Sequence, residues 1–380
     1  MWIKRRYIKR TGVIALAAVM LSLNGCGAAE RNQISSVRSS AEEKTAAEGK
    51  EKQDTTQATR QIFAMDTYMT VTAYGAQAEQ AVSEAETEIK RLDQLWDVTN
   101  QKSEIAILNQ QGTAFVSNET AEVIRTAVSL NRDTDGAFDI TVYPLVDAWG
   151  FVTKKFRVPS ETEIKKLLKN VNSSGIRIGK KSKVSSGTVK AELRKGVQID
   201  LGGIAKGYTS AKIMKIFQKY GCSSGVVSLG GNVQTYKKKT DGSDWRVGIE
   251  NPDPTVGQLK NQEYLGTLHV VDKAVITSGG YERYFEKNGK KYHHILDPTT
   301  GYPAESGLIS VTIVSSDGTR ADGLSTSLFV MGKKKALAYW KTHADQFDAI
   351  LVSEDGSITV TEGLKQSFET DLNYQVESRS

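Results

Sequence analysis

Several stretches of the 380-residue chain combine glycine with reactive side chains. Ile199-Asp200-Leu201-Gly202-Gly203-Ile204-Ala205-Lys206-Gly207-Tyr208 passes from apolar residues through a carboxylate and two bare backbone positions into a helix-like segment. A strand-to-helix turn of this kind brings backbone amides, a positive helix end and a lysine close to phosphates, so a nucleotide pyrophosphate is the expected ligand. Asp322 and Thr326 stand four residues apart on a predicted helix, with a carboxylate and a hydroxyl on one face. Two oxygen donors suit a hard cation such as Mg²⁺, completed by carbonyls, waters and substrate phosphates. The same pair also fits a helix cap at Asp322 and a Thr326 hydroxyl bonded back along its own helix. Gly136-Ala137-Phe138-Asp139, Ser228-Leu229-Gly230-Gly231-Asn232, Thr277-Ser278-Gly279-Gly280-Tyr281 and His293-His294-Ile295-Leu296-Asp297-Pro298 fall at the ends of predicted strands. Singly, each reads as an ordinary turn, and the two histidines as one exposed and one packed strand residue.

Two chemistries are excluded. The glycines around Lys206 lack Walker A spacing and the adjacent Ser/Thr. Four histidines and two cysteines offer no zinc-ligand spacing.

The elements that must hold these groups alternate irregularly. A strand is expected at Met69–Tyr74 and a helix from after Gly75 to Trp96, with Ile89, Leu92, Leu95 and Trp96 at helical spacing. A second helix starts at Asn118 as cap and ends near Asp133; a short strand Ala137–Thr141 is stopped by Pro144. Ser160-Glu161-Thr162-Glu163 has capping-box order and opens a helix to Leu168. Strands follow around Ile176–Ile178, Val184–Val189 and Val197–Leu201, then a helix Ile204–Tyr220. Further strands are expected at Val226–Leu229, Trp245–Ile249, Leu265–Val270, Ala274–Thr277 and Ile309–Val314. Asn288-Gly289 turns a hairpin between Tyr281–Phe285 and Tyr292–Leu296. Helices Ala321–Val330 and Lys333–Trp340 precede a final hairpin, Ala349–Val352 with Ile358–Val360. Without a regular βαβ period, the class is α+β.

The N-terminus has its own logic. Lys4, Arg5, Arg6, Lys9 and Arg10 precede a short apolar run, Val13 to Leu23. These five cations account for most of the formal net charge of +6, so the rest is nearly neutral and no nucleic-acid partner is expected. The run is too short to span a bilayer, which takes about 20 residues, and reads as a secretory signal. Leu23-Asn24-Gly25-Cys26 resembles a bacterial lipobox, which implies lipid on Cys26 and a stable anchor when more than one acyl chain is attached. The expected location is the extracytoplasmic side of the cell membrane. Residues 26–60 are poor in large apolar side chains and read as a disordered tether, with order beginning near Ile62. Cys222 reads as a small buried apolar residue.

Taken together, the motifs from Met65-Asp66-Thr67 through Gly136–Thr141, Asp200–Tyr208, Ser228–Asn232, Ser278–Tyr281, His294–Pro298 with Gly301, and Ala321–Thr326 resemble the ApbE family, the FAD:protein FMN transferases. The resemblance covers about Met65 to Val330. It implies a folded domain over 61–370, in which two closely packed subdomains hold FAD in the cleft between them, and a tail from 371 to 380. It further implies Mg²⁺-dependent cleavage of FAD, attachment of FMN by a phosphoester to a Thr or Ser of an acceptor protein, and release of AMP. By motif position, Asp322, Thr326 and the Gly203 carbonyl match the metal ligands. Met65, Ala137, Phe138, Asp139, Asp200, Lys206 and Leu296 match FAD-contacting positions. His294 matches a histidine implicated in catalysis, with Asp322 or Asp297 as the second choice of base. Met65-Asp66-Thr67 has Asp where Gly is usual, and Thr99 stands where many relatives carry a flavin-stacking Tyr. Family acceptors carry a Ser/Thr-Gly-Ala-Ser/Thr motif in ion-pump subunits or extracellular flavin reductases. The alternatives are FAD hydrolysis to FMN and AMP, or FAD binding without catalysis.

Overall fold

The structure, a computed structural model, describes residues 55–180 and 187–380. Cys26 and its flanking lipobox, and Val184–Ser186 of one expected strand, lie outside the described residues.

The chain opens with a hairpin of β1 (Gln57–Ala64) and β2 (Thr67–Tyr74). Next come α1 (Ala78–Trp96), α2 (Glu104–Gln111), β3 (Thr113–Ser117), α3 (Asn118–Asp133), α4 (Tyr143–Ala148), α5 (Glu161–Leu168), β4 (Ile176–Ile178) and β5 (Thr188–Leu193). The middle holds α6 (Ala205–Lys219), β6 (Ser224–Leu229), β7 (Asn232–Tyr236), β8 (Trp245–Glu250), β9 (Tyr264–Val270) and β10 (Ala274–Gly279). After the hairpin β11 (Tyr284–Lys287) and β12 (Lys290–His293) come β13 (Leu308–Ser315), α7 (Gly318–Lys341), β14 (Phe347–Ser353), β15 (Ile358–Thr361), β16 (Phe368–Glu369) and β17 (Tyr374–Glu377). This is an α+β fold.

A nine-stranded sheet in the order β1-β2-β6-β7-β10-β13-β14-β15-β17 forms the centre, antiparallel throughout except for the last pair. Its central strands are buried along nearly their whole length because both faces are covered. On one face lie α1, α6 and α7. Ala81, Val82, Ala85 and Ile89 of α1, at helical spacing, bury against Val71, Val227, Ile213 and Phe217. Leu324 and Leu328 of α7 bury with Ile276, Val311 and Ile313. On the other face, Val226, Val233, Val275 and Val314 pack with Trp245, Val247 and Leu268 from the small sheet β16-β9-β8. A third sheet, β3-β5-β4, packs with α2 and α3 beside the helical layer.

Several local expectations change. β1 begins at Gln57, ahead of the expected start of order near Ile62, because Ala58, Ile62 and Ala64 point inward while every residue from Gln57 to Ala64 pairs with β2. Ser117, not Asn118, caps α3, its side chain accepting from the Thr120 amide. Ala137–Thr141 is not a strand: Asp139 caps a 3-10 turn at Ile140–Val142, and Pro144 sits in the first turn of α4, where its missing N–H has no helical partner to lose. Val197–Leu201 is extended without joining a sheet, since the Asn109 side chain takes both backbone groups of Ile199 (2.7 and 2.8 Å) and the Ile140 carbonyl takes the Asp200 amide. Ser160 caps α5, but Glu163 pairs with Arg157 instead of closing a capping box. The two expected C-terminal helices are present, running end to end through α7 and separated at Gly332, whose φ of 73° and ψ of 163° are not helical. A Cβ there would also approach the Ser306 carbonyl to 2.8 Å.

Candidate active site

A cleft of about 1370 Å³ opens where the central sheet, the start of α6, α7 and the β11–β12 hairpin meet. The volume exceeds an ordinary small-ligand pocket of about 300–1,000 Å³, so the cleft has room for a dinucleotide.

The deepest wall is the contact between α6 and α7. Gly207 and Asp322 meet there: a Cβ on Gly207 would fall 2.1 Å from the Gly318 carbonyl and 2.6 Å from the Asp322 Cβ, so only glycine permits this approach. The Gly207 N–H donates to Asp322 Oδ2 at 2.8 Å, and Asn232 Nδ2 donates to Oδ1 at 3.0 Å. Asp322 is buried, and Asp317, three residues before Arg320, is the cap of α7. In a regular helix the Gly207 N–H would close on the carbonyl four residues back, that of Gly203. Asp322 has taken that donor, and the Gly203 carbonyl accepts no hydrogen bond among the described residues. Thr326, half-buried one turn along α7, lines the same cleft, and its hydroxyl lies 3.3 Å from Ser278 Oγ.

The turn before α6 does not offer a cradle of amides. Gly202 N–H donates to Asp200 Oδ1 at 2.7 Å, while Ile204 and Ala205 donate to the Leu201 carbonyl. Its contribution is the Asp200 carboxyl, the Gly203 carbonyl and the Lys206 ammonium, all on the cleft. Burial pushes the Asp200 carboxyl above its usual range.

The opposite wall is a loop and a hairpin. Asn288 and Gly289 turn the hairpin with φ of 53° and 77°, as the Asn-Gly pair predicts. Its strands start later and end sooner than expected, so Tyr281-Glu282-Arg283 and His294 are left as cleft-lining loop. His293 turns away: its Nε2 faces the Ala304 carbonyl at 3.2 Å and its ring sits edge-on to Phe329. His294 lines the cleft with Nδ1 3.2 Å from the Arg283 carbonyl. A carbonyl can only accept, so Nδ1 carries the proton and Nε2 keeps its lone pair. Burial, helped by the charge of Arg283, holds this imidazole down to about 3.

The remaining expected residues divide. Met65, Ala137, Phe138 and Leu296 line the cleft, and Met65 is fixed by its N–H on Asp93 Oδ1 at 2.9 Å. Asp139 also lines it, yet its carboxylate accepts from Thr141 N and Oγ1, Ser173 Oγ and Asn131 Nδ2. These bonds brace the loop that carries it. Thr99 is not among the cleft-lining residues; its hydroxyl is tied to Asp97 Oδ1 at 2.7 Å. Asp297 is not among them either, because its carboxylate caps its own turn at Thr299. Cys222 is buried, and burial pushes its thiol up.

Sequence reasoning missed Glu282 and Arg283. Glu282 sits in the cleft's concavity with solvent still reaching it, and desolvation raises its carboxyl to about 7 against the opposing pull of Lys206. Arg283 donates to the Phe151 carbonyl at 3.1 Å and stands 3.9 Å from Asp66. The apolar-aromatic run Tyr281–Phe285 reads as strand and conceals both. The signal that could have exposed them is Gly279-Gly280, which delays the strand.

With this arrangement in view, the comparisons with known proteins decide the family. A model of the ApbE family matches residues 65–351. The chain belongs to the ApbE family. Among curated relatives, the FAD:protein FMN transferase of Klebsiella pneumoniae (strain 342) is 31% identical over 76% of this chain and 87% of its own. That of Vibrio cholerae serotype O1 is 33% identical over 71% of this chain and 80% of its own. The crystal structure of the ApbE protein from Thermotoga maritima superposes with a TM-score of 0.73 at 32% identity, covering 83% of this chain and 100% of that one. The apo form of Pseudomonas stutzeri flavinyl transferase ApbE gives 0.72 at 27% identity, covering 83% and 98%. The ApbE match extends past the helix at Asp322 into β14, so it takes in both walls of the cleft.

Proposed function

We propose that this ApbE-family chain is an FAD:protein FMN transferase that acts on a Thr or Ser of an extracytoplasmic acceptor, anchored to the membrane through lipid on Cys26. The observation that carries the reading is the convergence of Asp322, Thr326, the Gly203 carbonyl, Lys206 and His294 on one dinucleotide-sized cleft.

The donor set fits Mg²⁺. Among the described residues no group of three or more His, Cys, Asp and Glu could form a metal cage. One carboxylate, one hydroxyl and one carbonyl without a hydrogen-bond donor are what a hard cation takes when substrate phosphates and water complete its shell. Asp322, Thr326 and Gly203 would hold it, and bound there it would supply positive charge against the pyrophosphate and the departing AMP.

The chain's own groups do the rest. Lys206 faces the diphosphate as a fixed positive charge; phosphoryl-type transfer depends mainly on such positioning and neutralisation. An acceptor hydroxyl attacks the FMN phosphorus, a new P–O bond forms, the P–O–P bond breaks, and AMP leaves with the electron pair. The hydroxyl proton goes to His294 Nε2, the nitrogen that the Arg283 carbonyl leaves unprotonated. A positioned base of this sort is worth about 10²–10⁴-fold. The negative charge of a bound diphosphate raises the imidazole from its low value toward the working range.

The test is incubation with FAD, Mg²⁺ and a soluble carrier domain bearing Ser-Gly-Ala-Thr in a surface loop. Flavin fluorescence that stays with the denatured carrier supports transfer. Free FMN and AMP with an unmodified carrier replace it with FAD hydrolysis, and intact FAD replaces it with binding alone. Growth with labelled palmitate and a Cys26→Ala control tests the anchor.

A further inference from the structure

The outer face of the β1–β2 hairpin has no role in the chemistry above, yet it runs into the cleft. Phe63 and Tyr68 pair directly across the two strands, with ring centroids 5.1 Å apart. They are 60% and 76% exposed, whereas most large apolar residues of the chain are buried. Gln61 opposite Thr70, and Thr59 opposite Thr72, continue the same face, which carries no charged side chain along this length. Gln61, Tyr68 and Thr70 line the cleft while Phe63 stands just outside it, so the patch forms the cleft's rim. β1 is also an outermost strand of the nine-stranded sheet. Across the opening lies β8, likewise at the edge of its sheet, with Val247, Gly248, Ile249 and Glu250 lining the cleft.

We propose that this rim, centred on Phe63 and Tyr68, is the docking surface for the acceptor protein, which lays the extended segment around its target hydroxyl against β1–β2. This rests on the transferase reading. Position and chemistry single out the occupant. A hydroxyl that enters the cleft over β1–β2 passes this rim, and the uncharged, hydroxyl- and amide-bearing stripe matches an uncharged segment of small residues. Aromatic side chains are enriched among the residues that carry interface energy, and most of the surface of both rings is still free to be covered. An edge strand offers backbone groups that an extended segment can pair with.

Phe63→Ser is the cleanest variant, because Phe63 is exposed and outside the cleft. With the Ser-Gly-Ala-Thr carrier as probe, KM for the carrier should rise about tenfold while kcat, FAD affinity by fluorescence titration and carrier-free AMP release stay unchanged. Phe63→Tyr should restore the original KM. Tyr68→Ser should raise the carrier KM at least as much. If Phe63→Ser leaves the carrier KM unchanged in a chain that transfers normally, the docking proposal falls and the transferase reading survives. If Tyr68→Ser weakens FAD binding without carrier while Phe63→Ser does nothing, the rim is part of the FAD site and the proposal is overturned. If the unaltered chain modifies no carrier at all, the transferase reading fails first and takes this one with it.

Discussion

On the helical wall of the cleft, Asp322 is buried and each of its oxygens accepts a hydrogen bond from a different element, α6 and β7. On the facing wall, Tyr281, Glu282, Arg283 and His294 lie in loop segments flanking a two-stranded hairpin, and the surroundings of Glu282 and His294 shift their titration strongly. On the first wall Asp322 is held by donors from two elements, and burial raises the Asp200 carboxyl on the turn before α6. The second carries a carboxyl raised to about 7 and an imidazole held down to about 3. On the proposed function the work divides between them: phosphate and cation fall to the packed helices, and the proton to the loops.

The sharpest way to break this division is Asp322→Ala. It removes the carboxylate and leaves the Gly207 amide and the Asn232 side chain without their acceptor, each a loss of about 1–3 kcal/mol when buried. Transfer, read as AMP release, should fall by about 10³–10⁴-fold, the several kcal/mol that cation charge supplies, and Mg²⁺ binding by calorimetry should vanish. Retained Mg²⁺ binding would move the cation off the helical wall. Next in size, His294→Ala should lower kcat by about 10²–10³-fold while Mg²⁺ and FAD binding persist. Loss of FAD binding instead would place His294 with the phosphate-holding groups.

A smaller effect tests the titrating wall. Below about pH 7 Glu282 is neutral; above it, the carboxylate joins Glu250 and Asp322 in facing an anionic substrate, against Lys206 and Arg283. FAD affinity should therefore weaken about fivefold as pH rises through 7, and Glu282→Gln should flatten that profile. An unchanged profile would remove Glu282 from the comparison. Least of all should Asp66→Gly matter. It relieves a non-glycine residue at φ 60° and removes the exposed ion pairs with Lys154 and, at 3.9 Å, Arg283. Those opposing terms are each about 1 kcal/mol, so the melting temperature should move by only about a degree or two.

The same two walls explain what the sequence revealed. The helical wall was legible because α6 and α7 have helical spacing and because Asp322 and Thr326 share a face by arithmetic alone. The exchange that gives Asp322 the Gly207 amide was not, since it joins residues 115 apart in the chain. Elsewhere hydrophobic pattern misled: Val197–Leu201, ahead of α6, and Tyr281–Arg283, on the loop wall, look like strands, and only the side chain of Asn109 and the turn at Gly279-Gly280 make them otherwise. Thr99 and Asp297 lie off the cleft lining with a shared local feature: each takes part in a short polar bond spanning two residues of its own turn. β1 was missed in part because an edge strand can be polar on one face and needs few large apolar residues.

The amide that Gly207 gives to Asp322 has a kinetic consequence. Contacts between residues far apart in sequence form only after the long intervening loop has closed, with its entropy already lost. Here that loop contains β6 to β13, much of the central sheet. Until α6 and α7 dock, the Gly203 carbonyl has a helical amide to bond, and Asp322 lacks the Gly207 donor. The proposed cation site is therefore incomplete in any form of the chain in which α6 and α7 have not docked, so Mg²⁺ binding would report that docking.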